Sequence, residues 1–210
     1  MAQAKLDVIP LFHIPLVHIV LDEDTDELKT CNQYLTSAVQ SDNVNIGNEY
    51  VENYRRLEQF PKTKDILTRV CNSTIKNILK YDAEFSITTS WLTKHKKGEE
   101  CQLHNHKNCM FSAVYYYGDY DEKSAPITFK NPLPDLSTYM VNPNGKNPFN
   151  IPFMEISPQK GSLIIFPSYL FHSVLPNNSD IDRLSLAFNL IPTGMYGGAD
   201  SSCDSNWFIN

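Results

Sequence analysis

Three of the chain's six histidines are placed to share one cation. His104 and His106 form a His-Asn-His triplet in a run that reads as a strand, Gln102–His106, and the two-residue period of a strand puts both imidazoles on one face. His172 stands far downstream, in Phe-Pro-Ser-Tyr-Leu-Phe-His-Ser-Val, at the start of another strand. Two ligands from one strand and a third from a distant one make a facial set, which leaves coordination positions open for a cosubstrate and O2. A single histidine is more often a surface or hydrogen-bonded core residue than a ligand, so the case needs a further element.

Arg183 supplies it. It follows His172 by eleven residues, enough for one turn through Pro176-Asn-Asn-Ser-Asp180 and entry into an antiparallel strand. In Arg183-Leu-Ser-Leu-Ala-Phe-Asn, the residues Arg183, Ser185, Ala187 and Asn189 share a face. If that face points inward, a guanidinium that never loses its charge needs an anion there. A dicarboxylate fits: its distal carboxylate takes the bidentate Arg183 contact and the Ser185 hydroxyl, while a 2-oxo acid end reaches the metal. The bland alternative is an Arg183 paired with Asp180 or Asp182 at the sheet rim. In Tyr115-Tyr116-Tyr117, on the strand after the histidine pair, the ordinary role is core packing, although one inward phenol could reach the same carboxylate.

The rest of the chain has to position these groups. Val8–Val20 is apolar but carries Pro10 and Pro15, which favours an edge strand over a helix. From Asp24 the pattern turns helical: Thr25 can cap, Asp26 and Glu27 fall in the first turn, and Leu28, Cys31, Leu35 and Val39 keep helical spacing. A second helix is expected over Lys62–Leu79, with Ile66, Leu67, Val70, Cys71, Ile75, Ile78 and Leu79 as its apolar stripe. After Tyr81 come short β-branched and aromatic runs: Phe85–Leu92, Gln102–His106, Phe111–Tyr117, Ile127–Phe129, Met154–Ile156, Leu163–Phe166, His172–Leu175 and Arg183–Leu190. Helices first and many short strands after predict a mainly β fold, a jelly roll or barrel with the helices on its outer face. Lys130–Pro152, rich in proline and without period, reads as a long surface loop near the mouth.

Composition narrows the classes. With 210 residues and 41% hydrophobic residues, the expectation is one domain spanning 1–210, with helical support at about 24–81 and a β core at about 85–190. Eighteen Lys and Arg against 24 Asp and Glu give a net charge of −6 without long like-charge runs, so no nucleic-acid partner is expected. Cys31, Cys71, Cys101, Cys109 and Cys203 are an odd, widely spaced set, which suits a reduced cytoplasmic chain. The prolines and histidines in Val8–Leu21 argue against a signal peptide or membrane span.

Taken together, Trp91…Gly98…His104-Asn-His106…Phe111-Ser-Ala-Val-Tyr-Tyr-Tyr117, Pro158…Gly161-Ser-Leu-Ile-Ile-Phe-Pro-Ser168…His172-Ser-Val and Arg183-Leu-Ser-Leu-Ala-Phe-Asn189 resemble the 2-oxoglutarate and Fe(II)-dependent oxygenases. The likeness is to the branch related to prolyl hydroxylases and frequent in marine bacteria and their phages, and it covers about Ser90–Leu190. It implies a double-stranded β-helix and His104, His106 and His172 as iron ligands. It also implies Arg183 as the cosubstrate anchor, with Ser185 and Tyr116 beside it, and places Tyr116, Ser112 and Val114 on the inner face. The implied cofactors are Fe(II), 2-oxoglutarate and O2, and the implied reaction is hydroxylation of a peptide or small molecule coupled to decarboxylation of 2-oxoglutarate to succinate and CO2. A phage-encoded copy would work in the host cytoplasm.

One departure matters: the wider superfamily has Asp or Glu where His106 stands, whereas this branch commonly shows His. Asp119 and Asp121 are the nearby carboxylates that could complete the shell. Two rivals are a cupin-type metalloenzyme without 2-oxoglutarate, and a non-enzymatic jelly-roll binding module. Cupins usually carry a Glu four or five residues past the His pair, where this chain has Met110 and Phe111, and Arg183 also favours the oxygenase.

Overall fold

A computed structural model describes residues 13–22, 25–40, 45–46, 54–133, 144–148 and 150–205. The elements run β1 (Val17–Val20), α1 (Asp26–Gln40), β2 (Asn45–Ile46), α2 (Pro61–Asn77), β3 (Glu84–His95), β4 (Cys101–His104), β5 (Phe111–Tyr115) and β6 (Ile127–Lys130). They continue through β7 (Phe153–Ile156), β8 (Ser162–Pro167), β9 (His172–Val174), β10 (Arg183–Thr193), β11 (Met195–Tyr196) and β12 (Cys203–Asp204). Six strands form one sheet in the order β1-β8-β5-β10-β3-β2, and four form a second in the order β4-β9-β6-β7. This is the jelly roll expected from the strand pattern, in the double-stranded β-helix form that the resemblance implies, with every one of the eight expected strands present.

The larger sheet is buried on both faces, which explains why its strands read as almost unbroken apolar runs. On β5, Phe111, Ala113 and Tyr115 join the core under the helices, whereas Val114 points between the two sheets. On β8, Leu163 and Ile165 take the helix side and Ile164 and Phe166 the inner side. The inner core is closed from the smaller sheet by Ile127 and Phe129 of β6.

The helices cover the outer face as their stripes predict. Leu28, Cys31, Leu35 and Val39 of α1 are all buried, and the Thr25 hydroxyl accepts the Leu28 N–H at 3.4 Å. On α2, Leu67, Cys71 and Ile75 are fully buried, but the helix stops at Asn77, so Ile78 projects outward at 67% exposure instead of completing the stripe. Asn72 ties α2 to β3: its amide donates to the Phe85 carbonyl at 2.9 Å and accepts the Phe85 N–H at 2.7 Å.

Along β3 a bulge changes which residues face inward. Asn189 of β10 pairs with Thr89, but Leu190 pairs with Ile87, so Thr88 is an extra residue. Before it the odd positions Phe85 and Ile87 pack under the helices; beyond it Leu92 does so, and Thr89, Trp91, Thr93 and His95 turn to the inside. The strand also runs three residues past the expected end at Leu92.

Other boundaries differ from expectation. Only Val17–Val20 of the opening segment is strand, and it is indeed an edge, paired with β8; residues 8–12 lie outside the described set. The fourth strand ends at His104 rather than His106, and the Tyr strand at Tyr115 rather than Tyr117. The expected proline-rich loop has no strand among its described residues between Lys130 and Phe153, and residues 134–143 and 149 lie outside them. Gly161 takes φ +76° in the turn before β8, where its N–H donates to the Tyr116 carbonyl at 2.8 Å.

The complete burial of Leu67 against the sheet generates a stability test. Leu67→Ala should cost about 2–5 kcal/mol through lost burial and a residual cavity, read as a lower denaturant midpoint at an unchanged slope.

Candidate active site

The inner faces of the two sheets enclose a cavity of about 600 Å³. His104, His106 and His172 line one part of it, and Thr93, His95, Arg183 and Ser185 are also on its wall. His104 and His172 are directly paired residues on β4 and β9, with ring centroids 4.4 Å apart. His106 lies beyond β4, so the strand period does not aim it. Its backbone N–H donates to the Ser168 carbonyl at 3.0 Å, and its ring packs edge-on to Trp91 and 5.0 Å from His172. One nitrogen from each of the three rings falls within 4.8 Å of the others.

The hydrogen bonds on the outer side of each ring fix which nitrogen is free. Nδ1 of His104 lies 2.7 Å from the Gln102 carbonyl, and Nδ1 of His172 lies 3.0 Å from the Leu170 carbonyl. A carbonyl only accepts, so both rings carry the proton on Nδ1 and present a bare Nε2. Nδ1 of His106 meets the Asn189 side-chain oxygen at 2.7 Å, and the Asn189 amide is oriented by donating to the Thr89 hydroxyl at 2.8 Å. The Ser112 hydroxyl donates to the same oxygen at 2.8 Å. Burial lowers the pKa of His106 against the opposing Asn189 hydrogen bond, and burial with the neighbouring His104 lowers that of His172 to about 3. Neutral imidazoles with oriented Nε2 lone pairs are the donor set that a divalent transition metal requires, so these residues fit one.

Arg183 is almost wholly buried. Its Nε donates to the Ala125 carbonyl at 2.8 Å, Nη2 to the Tyr116 hydroxyl at 2.9 Å, and Nη1 to the Ser185 hydroxyl at 3.4 Å. The rim pairing is absent: Asp180 is bound to Lys97 at 2.7 Å, and no carboxylate among the described residues pairs with Arg183. Tyr116 faces inward as expected, but it sits behind Arg183, with the guanidinium carbon 5.1 Å from its ring centroid, and is not part of the cavity wall. Burial raises its pKa against the pull of Arg183. Tyr115 and Tyr117 belong to the helix-side core, Tyr115 donating to Asn32.

Asp119 and Asp121 do not complete the metal shell. Asp119 pairs with Lys160 at 2.7 Å, and Asp121 accepts from Ser124 and Ser179 on the exposed turn. Among the described residues the candidate cluster holds three histidines and no carboxylate.

The family model described as "Putative 2OG-Fe(II) oxygenase" matches residues 89–189, the segment that carries the three histidines and Arg183. The matched segment is that of a 2OG-Fe(II) oxygenase. Fe(II) and 2-oxoglutarate are therefore its cofactors, with O2 as oxidant, and the cupin and binding-module readings give way. Among solved structures it is similar to the epimerase SnoN from nogalamycin biosynthesis, at 14% identity over 88% of this chain and 79% of that one, with a TM-score of 0.63. A prolyl-4-hydroxylase from Pseudomonas putida matches at 14% identity over 86% and 89%, with a TM-score of 0.54. A Trichoplax adhaerens prolyl hydroxylase, in complex with a hypoxia inducible factor peptide fragment, matches at 13% over 84% and 83%, with a TM-score of 0.56. These likenesses are of fold. No curated protein matches the chain.

His95 is not found from the sequence, and although Trp91 is named there and Ser112 and Asn189 are placed inward, the contacts they make around His106 are not. His95 was hidden because the expected strand stopped at Leu92, leaving Lys94-His95-Lys96-Lys97 to look like a solvated run. The odd-numbered parity beyond Thr88 was the available signal.

His95 also generates a pH test. Burial and then Arg183's charge lower its pKa from 6.5 to about 3, so between those values the unfolded chain binds a proton that the folded chain does not. Stability of the metal-free protein should therefore fall as pH drops through this window, by up to about 1.4 kcal/mol per pH unit from this group. In urea titrations at pH 7 and pH 5, His95→Gln should lose about 2 kcal/mol less than wild type between the two.

Proposed function

We propose that His104, His106 and His172 hold the Fe(II), and that Arg183, assisted by Ser185 and oriented by Tyr116, binds the distal carboxylate of 2-oxoglutarate. The observation that carries this reading is a buried guanidinium without a carboxylate partner among the described residues, in the same cavity as three imidazoles whose free nitrogens converge. When bound, the iron supplies oxidation of a C–H bond by O2, coupled to conversion of 2-oxoglutarate to succinate and CO2. The protein's share is positional: neutral imidazoles from two backbone segments distant in sequence, an anchor for the cosubstrate, and apolar walls from Val114, Ile127 and Val174 that exclude water.

The substrate is a peptide or small molecule, and hydroxylation is the reaction. Support comes from the cavity mouth, where Tyr54, Trp91, Lys107 and Asn108 combine aromatic faces with polar groups, and from relatives of the same fold. A single domain working in the cytoplasm suits the free thiols; among the described residues no helix is long and apolar enough to cross a membrane.

The test is anaerobic titration with Fe(II) and 2-oxoglutarate, which should produce the weak visible charge-transfer band of a chelated 2-oxo acid. His172→Ala should lose iron while the protein stays folded. At His106, Asp should retain iron better than Ala, because it returns one oxygen ligand; equal iron in wild type, Asp and Ala would remove His106 from the site.

Arg183→Leu should keep iron but raise the 2-oxoglutarate concentration for half-saturation at least about 10-fold, in line with about 1.5–3 kcal/mol for a charge-assisted contact. An unchanged dependence in uncoupled succinate formation would reduce Arg183 to a structural role.

A further inference from the structure

His95 is a buried cavity group whose chemistry the reading above leaves unused. It is 1% exposed, it lies directly across the β3–β10 pairing from Arg183, and neither ring nitrogen has a hydrogen-bond partner. Its backbone is held in place, since its carbonyl accepts from the Asn177 side chain at 3.0 Å. Its ring stands on the cavity wall in the same inward row as Thr93 and Trp91.

Such a group is costly as it stands. A neutral imidazole has one N–H and one lone pair, and burying both without partners forfeits about 1–3 kcal/mol for each unsatisfied atom. Packing does not require an imidazole there, because an apolar ring of similar size would fill the space without that cost. Protonation does not relieve it either, since Arg183's charge and burial both oppose a second cation. What would satisfy the ring is an acceptor placed beside Arg183. The anion that Arg183 itself lacks meets that description.

We propose that His95 donates its ring N–H to the distal carboxylate of 2-oxoglutarate, as the second anchor opposite Arg183, and so makes this end of the cavity selective for a dianionic 2-oxo acid. The assignment rests on the reading of Arg183 as the cosubstrate anchor. A carboxylate has two oxygens and about four lone-pair sites, more than one guanidinium occupies when three of its N–H groups are already directed at Ala125, Tyr116 and Ser185. A neutral donor from the adjacent strand adds a contact without adding charge, and it fixes the carboxylate over the inner face of the β3–β10 pair. His95 is a positioning residue for the cosubstrate, and it touches neither the metal nor the oxidised carbon.

The test compares equilibrium binding of 2-oxoglutarate with that of 2-oxopentanoate, which keeps the chelating 2-oxo acid but ends in a methyl group. Binding to the Fe(II)-loaded protein is followed anaerobically by the charge-transfer band, without turnover. For His95→Phe the expected result is a loss of roughly 10-fold in 2-oxoglutarate affinity and no loss for 2-oxopentanoate. His95→Gln, which keeps a donor, should recover part of the difference. Equal weakening of both ligands, or no weakening of either, overturns the proposal.

Arg183→Leu is measured alongside. If it leaves the preference for 2-oxoglutarate intact, the Arg183 reading itself fails; if it abolishes the preference while His95→Phe does not reduce it, only the role of His95 fails. Should the Phe variant not fold, wild type loaded with Zn(II) answers the question by long-range ¹H–¹⁵N correlation of the histidine rings. The His95 resonances should shift with 2-oxoglutarate and stay put with 2-oxopentanoate, and identical spectra with both would overturn the assignment.

Discussion

A guanidinium buried without a carboxylate is the constraint around which the inner cavity is organised. Desolvating Arg183 costs several kcal/mol unless its donors are met, and among the described residues they are met by neutral oxygens of Ala125, Tyr116 and Ser185. Those contacts orient the fork but leave its charge in place. The charge also bears on its surroundings: Tyr116 packs its ring near the guanidinium, and His95 across the strand pair is held neutral by burial first and by this charge second. The cavity end thus holds a preassembled positive charge, and its cost is offset by the apolar burial on the other face of the same strands.

That two-sided burial depends on register. β10 directs Arg183, Ser185, Ala187 and Asn189 to the cavity while Leu186, Phe188 and Leu190 enter the helix-side core. β3 lies against it and must do the same, yet its apolar residues change parity between Ile87 and Leu92. The extra residue at Thr88 reconciles them, so that one strand can support the helices at its start and furnish Trp91, Thr93 and His95 to the cavity at its end. A slip of one residue without the bulge would exchange the two sets, placing Leu92 in the cavity and the imidazole in the hydrocarbon core. α1 and α2 are needed for the same reason: a sheet with an apolar outer face has to be covered before its inner face can be spent on polar chemistry.

Much of this was legible from residue types, and the exceptions share a cause. The helices announced themselves through Leu28, Cys31, Leu35 and Val39 and through Leu67, Cys71 and Ile75, because a helix face is a local property. The alternation of Arg183, Ser185, Ala187 and Asn189 was equally local. His106 was placed on the right side for the wrong reason: it is aimed by Ser168 and Asn189, distant in sequence, and not by a strand pleat. Tyr116 was given the right face and the wrong neighbour, since only the folded chain shows Arg183 lying between it and the cavity. His95 escapes because the expected strand stops at Leu92, and the bulge at Thr88 interrupts the alternation that would have carried the inward row on to it.

The three-histidine cluster is matched by its environment rather than merely tolerated. The oxygen of Asn189 that receives the His106 ring is an acceptor, and it is kept in that orientation by the Ser112 hydroxyl on one side and the Asn189–Thr89 bond on the other. An imidazole presents an N–H to this oxygen and a lone pair to the cavity at once. A carboxylate in its place has no proton to offer, so it would face like polarity unless Asn189 turned its amide over and Thr89 reversed its role. Moreover, the carbonyls behind His104 and His172 select the same Nδ1–H tautomer. All three rings are therefore held by donation outward, and the side facing the cavity is left uniformly as lone pairs. That arrangement carries no negative charge of its own, so on the reading proposed above the carboxylates of the cosubstrate supply the anions both for the metal and for Arg183.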